Sequence, residues 1–302
     1  SVSCQDYPHI EHLVMDGGST DSTLDVLANN RDTLHFFSEP DKGQSHAINK
    51  GIRLAGGEII AWLNSDDVYA SVDSISSVVD FFLSNPEAQV VYGRGDFVDG
   101  LGNTLREAFV HKDSTNLKYA FAWAVGILQP SVFCRKTIFY EVGYLDENNH
   151  TSMDYEFWLR LTHAGTRMYF HDKKIAKALY HDEMKSSKTR GKQLRDTLDL
   201  VHKYYNFVHP RWINVYAKYL VTNNVQIISP CQLGDDAPEM EARIQAIECD
   251  LFEKYNSFPE AIRALTDPEL CDQEIAIKYL NKYIPGWKSV MGEAKKYNES
   301  DS

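Results

Sequence analysis

The chain has 302 residues, with 31 Lys and Arg against 43 Asp and Glu for a formal charge of −12. A hydrophobic content of 43% that includes 14 Phe, 17 Tyr and 5 Trp fills a sizeable core, which excludes a disordered or collagen-like chain. The acidic balance, with no long basic block, excludes a general nucleic-acid binder, because such binding depends on neutralising phosphates. The longest apolar stretch, Tyr119 to Leu128, falls well short of the roughly 20 residues that span a bilayer, so the sequence reads as soluble. Cys4, Cys134, Cys231, Cys249 and Cys271 are odd in number and form no CxxC pair, which argues against a disulfide framework or a zinc site and for a reducing cytoplasm.

In chain order, His12 to Met15 reads as a strand ending at Asp16, with Ser19, Thr20 and Asp21 offering caps for a helix that carries Leu24, Val26 and Leu27. Leu34 to Phe37 reads as a second strand. Gly43 to Ala55 has helical spacing, with an apolar stripe of Ala47, Ile48, Ile52 and Ala55 stopped by Gly56-Gly57. Ile59 to Leu63 is the next strand and runs straight into Asn64-Ser65-Asp66-Asp67, ahead of a helix carrying Val72, Ile75, Val78, Val79 and Phe82. This polar tetrad therefore sits at a strand's carboxyl end, the edge at which open α/β sheets bind ligands. Val90 to Tyr92 reads as a strand, Gly93 to Phe109 as a hairpin, Ser131 to Cys134 as a strand and Asp154 to His163 as a helix. Helical periodicity then dominates, over Lys192 to Phe207, Ile213 to Val225, Glu239 to Tyr255 and Gln273 to Tyr283. The fold class is α/β with a helical C-terminal extension. The linker signals between Ser229 and Pro238 place the boundary between domains 1–230 and 231–302.

Four segments, Asp16-Gly17-Gly18-Ser19-Thr20-Asp21-Ser22-Thr23, Glu39-Pro40-Asp41-Lys42-Gly43, Ala47-Ile48-Asn49-Lys50-Gly51 and Trp62-Leu63-Asn64-Ser65-Asp66-Asp67, together resemble the family 2 glycosyltransferases in order and spacing. The resemblance runs from about Cys4 to Ser187. It implies a GT-A fold, Rossmann-like with a mostly parallel central sheet, and inverting transfer of a sugar from a nucleoside-diphosphate donor. It also implies a divalent cation, Mn or Mg, at the leaving diphosphate, where a hard cation on carboxylate oxygen absorbs the developing charge.

By the same resemblance Asp66 is the metal ligand, and His181 matches a histidine that relatives bring to the cation or the diphosphate. Asn64 stands where the family often has a carboxylate, and its amide can coordinate or hydrogen-bond. Asp67 either orients the loop, caps the next helix or joins the ligand set. Asp16 matches a strand-tip carboxylate facing the nucleoside or else holds a turn, and Gly17 stands where many relatives have a second acid. Lys42 and Gly43 match a segment beside the nucleotide, where lysine can pair with phosphate and glycine admits close backbone approach.

In the acceptor half, Val142-Gly143-Tyr144-Leu145-Asp146-Glu147 and Met153-Asp154-Tyr155-Glu156-Phe157-Trp158-Leu159-Arg160 match the family, with Met153 where an acid is usual. Asp154 is then the general base, and a helix N-terminus stabilises the anion that a base requires. Trp158, one turn on, either stacks on a sugar or packs in the core. The implied setting is bacterial surface-glycan assembly, with a saccharide or lipid-linked saccharide acceptor and peripheral attachment at the cytoplasmic face of the membrane. The resemblance also implies a first strand ahead of Ser1, so an incomplete domain with weakened nucleotide binding is expected. The rival readings are a non-catalytic sugar-nucleotide-binding or scaffold protein and a sugar nucleotidyltransferase.

Overall fold

In the computed structural model the chain forms two compact units, Ser1–Lys118 with Val125–Lys188 and Tyr119–Ala124 with Thr189–Ser302. The structure describes residues 1–180, 189–223, 237–257, 261, 264–265 and 273–284.

In the first unit, β1 (Leu13–Asp16) and β2 (His35–Ser38) run parallel, with Leu13 opposite His35 and Asp16 opposite Ser38. They are joined by α1 (Thr23–Ala28), whose first turn is held by Asp21 accepting from the Thr23 N–H at 3.0 Å. Next comes α2 (Gln44–Leu54), which packs on β1. Its buried residues are Ser45, Asn49 and Ile52, spaced as one helical face. The expected apolar stripe is thus only partly right, since two of the three buried positions are polar.

A six-stranded sheet follows. It is built from β3 (Ile59–Ile60), β4 (Val68–Tyr69), β5 (Val90–Val98), β6 (Thr104–Glu107), β7 (Val132–Arg135) and β8 (Met168–Leu179) in the order β3-β7-β5-β8-β4, with β6 on β5. Only β5 and β8 pair in parallel; the β3–β7, β4–β8, β5–β6 and β5–β7 ladders are antiparallel. The expectation of a mostly parallel sheet is corrected to a mixed one. The reason lies in the connections: a parallel neighbour needs a crossover, whereas β5 returns to β6 through a tight turn. In that turn the Asp99 carboxylate accepts from the Leu101 and Asn103 N–H groups, each at 2.9 Å.

Helix α3 (Ser74–Ser84) covers the sheet through Val78 and Phe82, which pack with Ala88, Val91, Phe133 and Ile175. Burying each such side chain contributes about 1.5–3 kcal/mol. A second apolar cluster forms around α4 (Met153–His163), where Phe157 stacks on Phe139 with ring centroids 5.3 Å apart and Trp158 stacks on Trp62 at 5.6 Å.

The second unit is helical: α5 (Arg190–Tyr205), α6 (Pro210–Thr222), α7 (Ala237–Tyr255) and α8 (Gln273–Tyr283). It begins earlier than the linker signals suggest, because α6 packs against both α5 and α7. It also takes in Tyr119–Ala124, where Arg211 lies over the Trp123 ring at 4.9 Å. The buried Glu248 carboxylate is held by Asn214, Lys282 and Tyr283, and Phe252 stacks on Tyr283 at 4.6 Å. Among the described residues no helix is long and apolar enough to cross a membrane.

His209 caps α6, accepting from the Arg211 N–H at 3.2 Å through Nδ1. Burial, reinforced by the Arg211 charge, pushes its imidazole down to about 4. The unfolded chain therefore binds more protons between pH 6.5 and 4, and folding stability should fall by up to about 3 kcal/mol as pH drops through that window. Urea titrations at pH 7, 5.5 and 4.5 should show this loss in the wild type and a flatter dependence in His209→Asn, which keeps a capping acceptor.

Candidate active site

At the tip of β1 the Asp16 carboxylate is saturated. Oδ2 accepts from the Gly18 N–H at 3.1 Å, the Ser19 N–H at 3.0 Å and the Ser38 hydroxyl at 2.5 Å, while Oδ1 accepts from the Ser19 hydroxyl at 2.5 Å. These donors, the Ser19 and Ser38 hydroxyls first, hold its pKa down to about 2. Asp16 therefore closes the turn after β1 and ties it to the end of β2.

Lys42 is exposed in the turn before α2, and its N–H donates to His46 Nδ1 at 3.4 Å. Gly43 caps α2 with φ of +117°, a conformation that L side chains rarely adopt, and a Cβ there would lie 3.1 Å from His150 Nδ1. Both matched residues thus stand at the start of the helix that organises the rest of the site.

β3 is only two residues long, shorter than the pattern suggests, and the chain leaves it as an irregular segment fixed by side-chain amides. Gln129 Nε2 donates to the Trp62 carbonyl at 2.7 Å. Asn64 is the hub: its Oδ1 accepts from Gln44 Nε2 at 2.6 Å, and its Nδ2 donates to Asp67 Oδ2 at 2.9 Å and to Gln129 Oε1 at 3.3 Å. Asp67 is 8% exposed, and its Oδ1 accepts from the Leu179 N–H at 3.3 Å. Burial pushes its carboxyl up to about 6, and the neighbouring Asp66 charge acts in the same direction. Asp66 and Ser65 face solvent.

Asp154 is half-buried in the first turn of α4, and its Oδ1 accepts from the Tyr155 N–H at 2.8 Å. Met153 is buried, its sulfur accepting from the Ser45 hydroxyl at 2.8 Å. The loop before α4 is held from two sides. Asn49 of α2 donates to the Leu145 carbonyl at 2.9 Å and to Glu147 Oε1 at 3.0 Å, and accepts from the Leu145 N–H at 3.0 Å. Arg160 donates to the carbonyls of Val142, Gly143 and Tyr144 at 2.6, 3.0 and 2.8 Å while paired with the buried Glu156 at 2.9 Å. Trp158 is 0% exposed against Trp62, so of its two sequence readings core packing is the one realised.

Among the described residues no cluster of three or more His, Cys, Asp or Glu is placed to hold a metal, and His181 lies outside the described residues. Asn64 and Asp67 have oxygens bonded within the protein, and Asp66 is the carboxylate of the tetrad that faces solvent. That donor set suits a hard cation held by one carboxylate, waters and substrate phosphates, as Mg²⁺ commonly is.

Residues 1–143 match the family described as Glycosyl transferase family 2. This part of the chain is similar to glycosyl transferase family 2. An uncharacterized glycosyltransferase of Rickettsia conorii is 28% identical over 203 residues, covering 62% of this chain and 32% of that protein. A PGL/p-HBAD biosynthesis glycosyltransferase of Mycobacterium bovis is 26% identical over 171 residues, covering 53% of this chain and 61% of that protein. The chain spans about a third of the length of the first curated relatives it matches. In fold it is similar to S. aureus TarS 1–349, solved in complex with UDP-GlcNAc, with a TM-score of 0.56 at 16% identity over 93% of this chain and 83% of that one. The fold is GT-A.

Within this site, Gln44, Asn49, Gln129 and Arg160 are the residues that sequence reasoning left without a role. Asn49 and Arg160 stood inside matched motifs, but their bonding partners lie about 100 residues away or on a preceding loop.

Two measurements bear on this wiring. Asp16→Asn should lose about 1–3 kcal/mol at pH 7, because it removes the charge on which four donors converge. Since the folded pKa lies below the unfolded value, that contribution is present above pH 3.8 and vanishes as pH falls through about 2, so the two stability curves should meet in acid. Asn64→Asp should lose a similar amount, about 1–3 kcal/mol at pH 7 by urea titration, because it sets a second carboxylate where Asn64 now donates to Asp67.

Proposed function

We propose that the chain is a metal-dependent inverting glycosyltransferase acting from a nucleoside-diphosphate sugar on a hydroxyl of a saccharide or lipid-linked saccharide. One observation carries most of the weight: adjacent residues of α2 reach both halves of the site, Gln44 bonding Asn64 beside Asp66 and Ser45 bonding Met153 beside Asp154. Two acid-bearing segments tethered to one helix suit a reaction that needs charge stabilisation at the leaving group and proton removal at the nucleophile.

In this reading Asp154 accepts the proton of the acceptor hydroxyl as its oxygen attacks the anomeric carbon from the face opposite the diphosphate. The bond from that carbon to the diphosphate oxygen breaks, and configuration inverts. Asp66 holds the divalent cation, Mn or Mg, which when bound supplies Lewis-acid stabilisation of the departing diphosphate. Lys42 adds a cationic side chain on the approach to α2, and Gly43 lets the donor come close to the first turn of that helix. Asn64 and Asp67 keep the tetrad in shape rather than touching the donor, and His181 is proposed as a further ligand from the later loop. Assembly of a bacterial surface glycan at the cytoplasmic face of the membrane is the setting we infer. The similarity to a PGL/p-HBAD biosynthesis glycosyltransferase supports it.

Release of nucleoside diphosphate from a panel of nucleotide sugars, with manganese and saccharide acceptors, tests the assignment. Asp154→Asn should lower kcat by about 10²–10⁴-fold while leaving donor binding in place. Equal turnover in wild type and variant would remove Asp154 as the base.

A further inference from the structure

The turn after β1 meets a second acid, one that stands inside a matched segment to which the resemblance gave it no role. Asp41 lies between β2 and α2, half-buried, and its Oδ1 accepts from the Gly43 N–H at 2.7 Å. Its other oxygen lies over Gly17: a Cβ at that position would stand 2.7 Å from Asp41 Oδ2 and 3.2 Å from Cγ. Any side chain at position 17 would displace this carboxylate. The space left by the glycine is therefore the space that Asp41 fills.

The two acids at this edge differ in what remains for a ligand. The oxygens of Asp16 are occupied by the Gly18 and Ser19 N–H groups and the Ser19 and Ser38 hydroxyls. Asp41 Oδ2 accepts no hydrogen bond from the described residues. It stands where the parallel strands β1 and β2 end, the edge that serves ligands in α/β sheets. An anionic acceptor there repels phosphate and attracts N–H and O–H donors, so it suits the nucleoside half of a nucleotide sugar rather than its diphosphate.

We propose that Asp41, delivered from the β2–α2 turn into the space over Gly17, is the carboxylate that accepts a hydrogen bond from the ribose or base of the donor, while Asp16 only braces the turn. This rests on the glycosyltransferase reading and assigns the specificity of its nucleoside side. Where relatives carry a second acid at the position of Gly17, this chain supplies the charge from the facing turn.

Isothermal titration with uridine, guanosine and thymidine diphosphates in the presence of manganese, and with inorganic pyrophosphate, provides the test. Asp41→Asn retains an oxygen for the Gly43 N–H, so the turn and the melting temperature should be unchanged. Its affinity for the bound nucleoside diphosphate should fall roughly ten- to a hundredfold, as expected for a hydrogen bond to a charged group. Pyrophosphate affinity should not move. The double variant Gly17→Asp with Asp41→Gly, which returns a carboxylate to the same space from the other side, should recover affinity to within about threefold of wild type. A 2′,3′-dideoxy nucleoside diphosphate that binds both Asp41→Asn and wild type equally identifies the ribose as the donor; one that still distinguishes them identifies the base. Equal nucleoside diphosphate affinity in wild type and Asp41→Asn overturns the inference and leaves the glycosyltransferase reading standing, as does a parallel loss of pyrophosphate binding. Failure of the wild type to bind any of the three diphosphates overturns both.

Discussion

The polar face of α2 is the constraint on which the site depends. Gln44, Ser45 and Asn49 sit on a helix whose buried side should by composition be apolar, and each bonds a segment far along the chain: the tetrad loop at Asn64, the start of α4 at Met153 and the loop at Leu145. A buried polar group left without a partner costs about 1–3 kcal/mol, so these bonds specify geometry strongly even though each adds little net stability. Displacing α2 would break all three at once.

Around that bracket the charge is divided by exposure. Asp67 is buried with the Asn64 amide and the Leu179 N–H as its donors, and burial raises its carboxyl to about 6. Asp16 is equally enclosed, but strong donors surround it and it stays ionised down to about 2. Neutral Asn64 and Gln129 carry the internal bonding of the loop, so the acid that faces solvent is Asp66. In a chain of net charge −12, gathering a polyanionic donor depends on such local arrangement rather than on the overall field.

The acceptor half is fixed by a different device. Arg160 draws three successive carbonyls, those of Val142, Gly143 and Tyr144, onto the side of α4, with its own charge met by the buried Glu156. A planar guanidinium suits this because its fork presents several donors in fixed directions. The loop that leads to Asp154 is therefore pinned by α2 on one side and by α4 on the other.

Local pattern by itself determined the α/β class, the strands at Leu13–Asp16 and His35–Ser38, the long helices, and the placement of the tetrad at a strand end, because each of these follows from side-chain periodicity over a few neighbouring residues. It did not disclose β8, where Asp172, Lys173, Lys174 and Lys177 interrupt the alternation and pairing with β5 supplies what propensity lacks. Nor did it disclose that the large sheet is mixed, since strand direction depends on how distant segments pack. The motif residues were legible as a set, but their division of labour was not. That Asp16 is saturated, that Asn64 serves as an internal hub, and that Asp41 occupies the space over Gly17 are all consequences of which groups meet across the fold. Ser38 completes the shell of Asp16, Gln44 and Gln129 complete that of Asn64, and Asp41 faces Gly17, and in each case the completing partner lies on a different stretch of sequence.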